Sequence, residues 1–298
     1  MKQSRPKKMT GAPAFDSFYS GLFGGRWEEL KKALFLPPVY AGLSFGECEP
    51  YFLDPASVAA ALCLPVRQSE KILDLCAAPG GKTLVLCGTS GSHTSLHANE
   101  RSPSRKIRLA KVIASSLPPD ISSRVRISCT DGSVWCRRES ECYGSILLDA
   151  PCSSERHVLN DKSYLDKWSP ARVKSAAAGQ WALLSCAYRL LQPGGFLLYA
   201  TCALCPAEND GAVSRLIKKF PDASVIQAEE VLSVFRENNG AFSGSIACPQ
   251  EICPERILSL AERTESGFHI LPDRASGAGP IYFSLIQKPS GFIQNNNN

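Results

Sequence analysis

The stretch from Lys71 to Thr83 restricts the fold more than any other part of the chain. Lys71 to Cys76 is a short apolar run of strand length, Pro79-Gly80-Gly81 ends it, and a helical pattern starts at Lys82. A strand that runs through a Gly-rich turn into a helix brings backbone N–H groups close to a ligand. The alternation continues downstream. Ser95 to Asn99 reads as a strand, Pro103 to Ser116 as a helix and Val125 to Cys129 as a strand. Ser145 to Leu148 is an apolar run closed by Asp149. A long amphipathic helix opens at Ser169-Pro170, with Val173, Ala177, Trp181, Leu184 and Leu191 at helical spacing. Pro193-Gly194-Gly195 stops it before the buried strand Phe196 to Ala200. Strands and helices alternating at these lengths imply an α/β fold, doubly wound around a mainly parallel sheet.

The flanks are less regular. A short helical lead-in spans Trp27 to Leu36 and is broken by Pro37 and Pro38. Asp54-Pro55 opens a helix through Leu64, with Asp as N-cap and Pro at the first helical position. After Phe220 the pattern fades. Gly240 to Pro254, rich in Gly, Ser and Cys, reads as an insertion or long loop, and Ile281 to Ile286 as a last strand. The expected organisation is a helical extension over 1–50, one domain over 51–290 and a low-complexity, disordered tail over 291–298, with no internal repeat.

Composition removes several classes of protein. At 44% hydrophobic and 20% charged, the 298-residue chain has the make-up of a soluble globular protein. Its apolar runs fall far short of the ~20 residues that cross a bilayer. Thirteen cysteines is a high and odd count. Met1 to Ala14 is basic and polar without an apolar core, which argues against a secreted disulfide scaffold and for a reducing compartment. Most thiols are then small buried hydrophobes. The net charge of +5 is modest but uneven. Arg101, Arg105, Lys106, Arg108 and Lys111 fall together, as do Arg124, Arg126, Arg137 and Arg138, and Lys2, Arg5, Lys7 and Lys8 sit at the start. Such patches attract phosphate backbones, although a charge run is usually an ordinary solvated helix face.

The Asp74-Leu-Cys-Ala-Ala-Pro-Gly-Gly-Lys-Thr83 turn narrows the ligand. A phosphate-binding P-loop needs Gly where Cys76 stands, and the dinucleotide Gly-x-Gly-x-x-Gly pattern is absent. A small adenosine-bearing ligand at the carboxyl ends of the strands remains, with a merely structural turn as the alternative. Four successive strands end near a carboxylate: Asp74, Glu100, Asp131 and Asp149. On one sheet edge, four acids read as a binding site rather than as helix caps. Cys152 of Asp149-Ala-Pro-Cys152 and Cys202 of Thr201-Cys202 follow strands at that same edge, so both thiols would face the crevice. Strand-end cysteines are nonetheless more often inert than reactive. Cys202-x-x-Cys205 has no second Cys-x-x-Cys to complete a zinc site, and Cys248 to Cys253 has the wrong spacing. No metal is expected.

The segments Asp74–Thr83, Asp149–Cys152 and Thr201-Cys-Ala-Leu-Cys-Pro-Ala-Glu-Asn209 resemble the Sun (Fmu/Nol1/Nop2) family of S-adenosylmethionine-dependent RNA cytosine-C5 methyltransferases. Motif order and spacing agree from about Tyr51 to Lys219. Phe15-Asp16-Ser17-Phe18-Tyr19, Glu155-Arg156-His157 and Gly279-Pro280-Ile281-Tyr282-Phe283 are most similar to the mitochondrial ribosomal-RNA branch and its bacterial relatives.

The resemblance implies a Rossmann-like sheet of the class I methyltransferase type and S-adenosylmethionine as cofactor. It makes Cys202 the thiol that attacks C6 of cytosine, Cys152 the group that assists breakdown of the adduct, and Asp149 the partner of the base at N3 and its amino group. Cytosine C5 is a poor nucleophile, and a thiolate on C6 makes it enamine-like. A free thiol titrates near ~8.5, so Cys202 needs help, and Lys82 is the nearest candidate cation. Cys76, Ala77, Ala78, Pro79, Gly80, Gly81 and Lys82 would wrap the cofactor, beside Asp149. Glu100 would hold its ribose with Arg105 alongside, and Asp131 would meet the adenine amino group next to Gly132.

The sequence also departs from the family. About 45 residues before the domain are too few for the added N-terminal RNA-binding domain of larger members. Leu53-Asp54 stands where Gln-Asp is usual. RNA recognition is then expected from the lead-in, the basic patches and a partner protein, with the target base single-stranded or flipped. The expected substrate is ribosomal RNA. Transfer RNA, DNA cytosine methylation through the Pro-Cys thiol, and a non-catalytic RNA-binding ribosome assembly factor are the alternatives. The expected location is the cytoplasm, with the mitochondrial matrix as the alternative.

Overall fold

The computed structural model describes residues 10–290. The expectations for the basic start and for the 291–298 tail lie outside those residues. Among the described residues, no helix is long and apolar enough to cross a membrane.

In chain order, α1 (Ala12–Phe23) and α2 (Trp27–Phe35) precede β1 (Ala41–Ser44), β2 (Tyr51–Leu53) and α3 (Pro55–Leu62). The alternating body follows: β3 (Lys71–Asp74), α4 (Gly81–Thr89), β4 (Ser95–Asn99), α5 (Pro103–Ser116), the single turn α6 (Pro119–Ser122), β5 (Val125–Ser128) and β6 (Tyr143–Asp149). Next come α7 (Glu155–Asn160), α8 (Lys162–Leu165), α9 (Pro170–Leu190), β7 (Leu191–Thr201) and α10 (Asp210–Lys219). The chain closes with β8 (Ser224–Val225), α11 (Ala228–Gly240), β9 (Ser245–Ala247), α12 (Pro254–Ser259), β10 (Glu262–Arg263), β11 (Phe268–Ile270) and β12 (Ile281–Gln287).

The main sheet runs β10-β11-β12-β7-β6-β3-β4-β5, with β8 paired to β12. β3 to β7 are parallel, and β12 enters antiparallel to β7. The α/β, mainly parallel expectation therefore holds. From β3 the chain steps outward through β4 and β5, then returns to the other flank of β3 as β6. That reversal opens a crevice at the carboxyl ends of β3 and β6. Successive residues of the central strands face opposite sides, as the period of two requires. Ile72, Leu147 and Leu198 pack with α3, α4 and α11 on one face, whereas Leu73, Ile146, Leu148 and Tyr199 pack with α9 and α10 on the other. β6 is buried along nearly its whole length, the usual state of a parallel strand covered on both faces.

Several elements differ from expectation, each for a local reason. Pro193-Gly194-Gly195 does not separate α9 from its strand, because β7 already begins at Leu191. Gly194 lies at φ +79°, and a Cβ on Gly195 would sit 2.8 Å from the Gly144 carbonyl oxygen. The glycines let β7 pass an irregularity in the β6–β7 register at Tyr143/Ser145. The segment 240–254 is not simply a loop. Its residues Ser245–Ala247 pair with β1, which also pairs with β2, to make a small separate sheet. Three-residue strands leave no periodicity to read. α1 was likewise not anticipated. Its Phe15 and Tyr19 join Trp27, Leu30 and Leu34 of α2 in one aromatic core with Val158, Trp168 and Leu204. The lead-in thus packs directly beneath the two cysteine-bearing loops.

Candidate active site

The crevice is built first by the β3–α4 turn. Asp74 ends β3 buried, and its Oδ2 accepts a 2.7 Å hydrogen bond from Thr83 Oγ1 across the turn. Burial pushes the Asp74 carboxyl up to about 7, against the Thr83 bond that lowers it. Asp74 is therefore a brace of the turn and not a group offered to a ligand. Gly80 sits at φ +121°, with Leu109 and Val112 of α5 close to where a Cβ would be. A Cβ on Gly81 would meet Tyr51 and Leu53 at 2.8 Å. Only glycine allows this turn to lie so tightly between β2 and α5.

The other strand ends line a cavity of about 520 Å³, of the size that holds small-molecule ligands. Cys76, Glu100, Arg105, Asp131, Gly132 and Cys152 line it, whereas Ala77, Ala78, Pro79, Gly80, Gly81, Lys82 and Asp149, also expected at the cofactor, do not. Glu100 Oε1 accepts the Ser102 N–H at 2.8 Å. Its Oε2 is buried with no hydrogen bond, and the Arg105 guanidinium lies 3.2 Å away as an ion pair. Arg105 in turn donates from Nη2 to the Ala78 carbonyl at 2.5 Å, tying α5 to the turn. Asp131 Oδ1 accepts both the Ser133 N–H and hydroxyl, and these bonds hold its carboxyl below the usual range. A Cβ on Gly132 would meet Leu75 at 2.9 Å.

Asn99 was missed by sequence reasoning. Its side chain donates to the Leu75 and Thr130 carbonyls and accepts from Thr130 N and Ser128 Oγ, pinning the ends of β3, β4 and β5 together. Its signal was an amide at the end of the strand Ser95–Asn99, beside Glu100.

The cysteines close the crevice. Cys152 Sγ and Cys202 Sγ are 2.8 Å apart, and the Ser154 hydroxyl lies 3.3 Å from Cys152 and 3.5 Å from Cys202. They do not share one crevice in the simple sense expected. Cys152 lines the cavity with Glu100, whereas Cys202 lines a second cavity of about 650 Å³ with Phe35, Leu36, Ser154, His157 and Pro280. The thiol pair is the point where the two cavities meet. Hydrogen bonding from Cys152 holds the Cys202 thiol below its ordinary value despite burial, while that same contact and burial push Cys152 up. Of the two, Cys202 is the thiol that gives up its proton more readily and Cys152 the one that keeps it.

Lys82 bonds directly to Asp149 and not to Cys202. Its Nζ donates to Asp149 Oδ2 at 2.6 Å, and the ammonium is mostly buried. Burial alone would lower Lys82, but the Asp149 carboxylate, together with the charges of Cys202 and Asp74, raises it. The cation is thus bonded to Asp149 and electrostatically coupled to Cys202, while Cys152 is the main group acting on the Cys202 thiol. Arg156 and Asp54, read only as a motif residue and an N-cap, shape the second cavity. Arg156 donates to the carbonyls of Gly277, Gly279, Ala33 and Leu36, and Asp54 accepts the Gly279 N–H while capping α3. Cys205 turns away into the aromatic core. All thirteen cysteines are free.

A reversing, mixed and mainly parallel sheet, a Gly-rich first turn and acids along its carboxyl edge match the class I methyltransferase fold. A crystal structure of a methyltransferase homologue from Pyrococcus horikoshii superposes with a TM-score of 0.65 at 18% identity, over 92% of this chain and 94% of that one. The model of the 16S rRNA methyltransferase RsmB/F family matches residues 61–254, and the chain belongs to that family. Among similar proteins, the 5-cytosine rRNA methyltransferase NSUN4 of Bos taurus is 32% identical over 252 residues, 83% of this chain and 61% of that one. Ribosomal RNA small subunit methyltransferase F of Erwinia tasmaniensis is 36% identical over 163 residues, 55% of this chain and 33% of that one. The chain thus spans less than two thirds of the length of these relatives.

Proposed function

We propose that this chain transfers a methyl group from S-adenosylmethionine to C5 of a cytosine in ribosomal RNA. The observation that carries the reading is the thiol pair itself. A lowered thiol faces one cavity, a raised thiol faces the other, and the two touch. The cavity beside Cys152 fits the cofactor. Glu100 Oε2 is a buried acceptor with no hydrogen bond, Arg105 lying beside it only as an ion pair, and a ribose diol would supply the donor. Asp131 Oδ2, with Arg101 at 3.8 Å as its ion-pair partner, accepts no hydrogen bond and could take one from an adenine amino group. When bound there, the cofactor supplies an electrophilic methyl group on a sulfonium.

The chain's own residues supply the rest. The cavity beside Cys202 receives the target base. Cys202 Sγ would bond to C6 and drive the C5–C6 electron pair onto C5, the carbon that would take the methyl group as the methyl–sulfur bond breaks and the bound cofactor is left as a neutral thioether. The C5 proton then passes to a base and the C6–S bond breaks, restoring the ring and the thiolate. Asp149, its Oδ2 held by Lys82, has its second oxygen left for the edge carrying N3 and the amino group. Cys152, a neutral thiol in contact with Cys202, assists the elimination. Because the mechanism needs both thiols reduced, we place the protein in a reducing compartment, the cytoplasm. The RNA phosphates would be met by Arg101, Lys106, Arg108 and Lys111 at the α5 end of the crevice.

The test is transfer of labelled methyl from S-adenosylmethionine to purified ribosomal and transfer RNA, followed by nucleoside analysis. Label in 5-methylcytidine of ribosomal RNA is expected. Label confined to transfer RNA overturns the substrate, and no label in either overturns the enzyme.

A further inference from the structure

Two buried carboxylates lie directly behind the thiol pair, and the mechanism above does not use them. Glu155 begins α7, three residues after Cys152, and Glu208 lies six residues after Cys202. Both are fully buried. Among the described residues, no Lys, Arg or His nitrogen comes within 4.0 Å of either, so no cation offsets their charge. Their hydrogen bonds run to both cysteine loops. Glu155 Oε2 accepts the Leu204 N–H at 3.0 Å from the Cys202 loop. Glu208 Oε2 accepts the Ser153 N–H at 2.9 Å from the Cys152 loop, together with Gln180 Nε2 at 2.8 Å.

Between them stands the Ser153 hydroxyl, in contact with Oε1 of both Glu155 and Glu208. A hydroxyl has one proton to donate. If it goes to one carboxylate, the other contact needs a proton from the second carboxyl. Glu155 already accepts from Tyr19 Oη and Leu204 N, the pattern of an ionised group. Both donors aimed at Glu208 reach Oε2, leaving its Oε1 free to donate. We propose that Glu155 and Glu208 share one proton across Ser153, with Glu208 the acid and Glu155 the carboxylate, and that this proton holds the two cysteine loops at their working separation. The inference rests on the reading of Cys152 and Cys202 as the working thiols.

Burial and the Glu155 charge push the Glu208 carboxyl up to about 7, so the bridge is intact below neutrality and breaks above it. Of the other groups facing the pair, Tyr19 of α1 and Tyr199 of β7 are pushed up by burial and remain neutral hydroxyls, and Cys152 and Cys205 are raised thiols. Cys202 is lowered and ionises more readily as pH rises, a change that favours attack and runs opposite to the loss of the bridge. Arg172 of α9 donates to the Ser153 carbonyl. Glu155 and Glu208 are positioning residues. They act through the loops and touch no substrate.

Glutamine separates the two roles. In Glu208→Gln the amide carbonyl accepts Ser153 N and Gln180 Nε2, while its NH2 donates to Ser153 Oγ as the acid does. In Glu155→Gln the NH2 faces either the Leu204 N–H or the Tyr19 and Ser153 hydroxyls, all donors. Two measurements follow on the full chain. Infrared difference spectroscopy at pH 6, wild type against Glu208→Gln, should show loss of a protonated carboxyl C=O stretch. The pH profile of kcat for methylation should decline above pH 7 in wild type and show no such decline in Glu208→Gln. Glu155→Gln should lose at least about tenfold more kcat than Glu208→Gln at every pH, the cost of a buried donor left unpaired, with KM unchanged. An unchanged carboxyl band, or an alkaline decline that survives in Glu208→Gln, overturns the shared proton. If wild type transfers no methyl to cytosine, the functional reading fails, and the infrared result still decides whether the proton is there.

Discussion

Replacing Glu100 with alanine should separate ligand binding from stability more cleanly than any other change at the site. In the free protein, Glu100 makes one good hydrogen bond, from Ser102 N at 2.8 Å, and keeps Oε2 buried without one. Its ion pair with Arg105 at 3.2 Å involves a half-exposed guanidinium and is worth at most about 1 kcal/mol. Losing the Ser102 bond destabilises, but removing an unsatisfied buried oxygen offsets it, so the unliganded variant should unfold within about 1.5 kcal/mol of wild type. Binding is different, because the ribose hydroxyls would be the donors that Oε2 lacks. A hydrogen bond to a charged group contributes about 1.5–3 kcal/mol, so Kd should rise by about 10- to 150-fold. Calorimetric titration with S-adenosylhomocysteine measures it, with urea unfolding of the free protein alongside. Glu100→Gln keeps the Ser102 bond and should still lose most of the affinity. A Kd within about threefold of wild type for Glu100→Ala, some 0.7 kcal/mol, would refute the placement of the ribose.

Three further outcomes follow from the same geometry. Lys82→Met removes the cation from a 2.6 Å pair whose carboxylate is one third exposed, and single-turnover methylation should slow by about 100-fold through loss of Asp149 placement; a rate above half of wild type would contradict that role. Because Glu208 titrates higher in the folded protein than its ordinary 4.5, its stabilisation is fully present below about pH 4.5 and lost as pH rises through about 7. Urea unfolding of wild type relative to Glu208→Gln should therefore lose on the order of 3 kcal/mol between pH 5 and 8, and a difference that grows with pH reverses the sign argued here. Mild oxidation should join Cys152 to Cys202, whose sulfurs already touch, abolishing activity until dithiothreitol is added; peptide mapping that finds this pair free in the inactive protein would contradict it.

The acids and the first thiol of the sheet edge were legible in sequence because each lies at or just after the end of a strand. A strand end in a parallel sheet has one address, and Cys76, Glu100, Asp131 and Asp149 are brought to one edge by alternation alone. Two kinds of feature were not legible. Short pairings such as Ala41–Ser44 with Ser245–Ala247 join segments some 200 residues apart through three residues each, too few for periodicity to register. Partner choice was equally hidden. Lys82 could be seen to be cationic and close, but that it pairs with Asp149 while Cys152 acts on Cys202 depends on side-chain placement over a few ångströms. Glu155 and Glu208 stood in the sequence only as members of the Glu155-Arg156-His157 and Thr201–Asn209 motifs, with no role of their own. They are internal because α1, which no strong amphipathic signal announced, delivers Tyr19 beneath both loops.

The division of labour between the thiols is the centre of the account, and trapping the protein–RNA adduct tests it most directly. With ribosomal RNA and S-adenosylmethionine, Cys152→Ala should accumulate a covalent complex that survives denaturing electrophoresis, because addition proceeds and elimination stalls. Cys202→Ala should form no complex and transfer no methyl group. A covalent complex formed by Cys202→Ala, or methylation that persists in it, would contradict the assignment of Cys202 as the nucleophile.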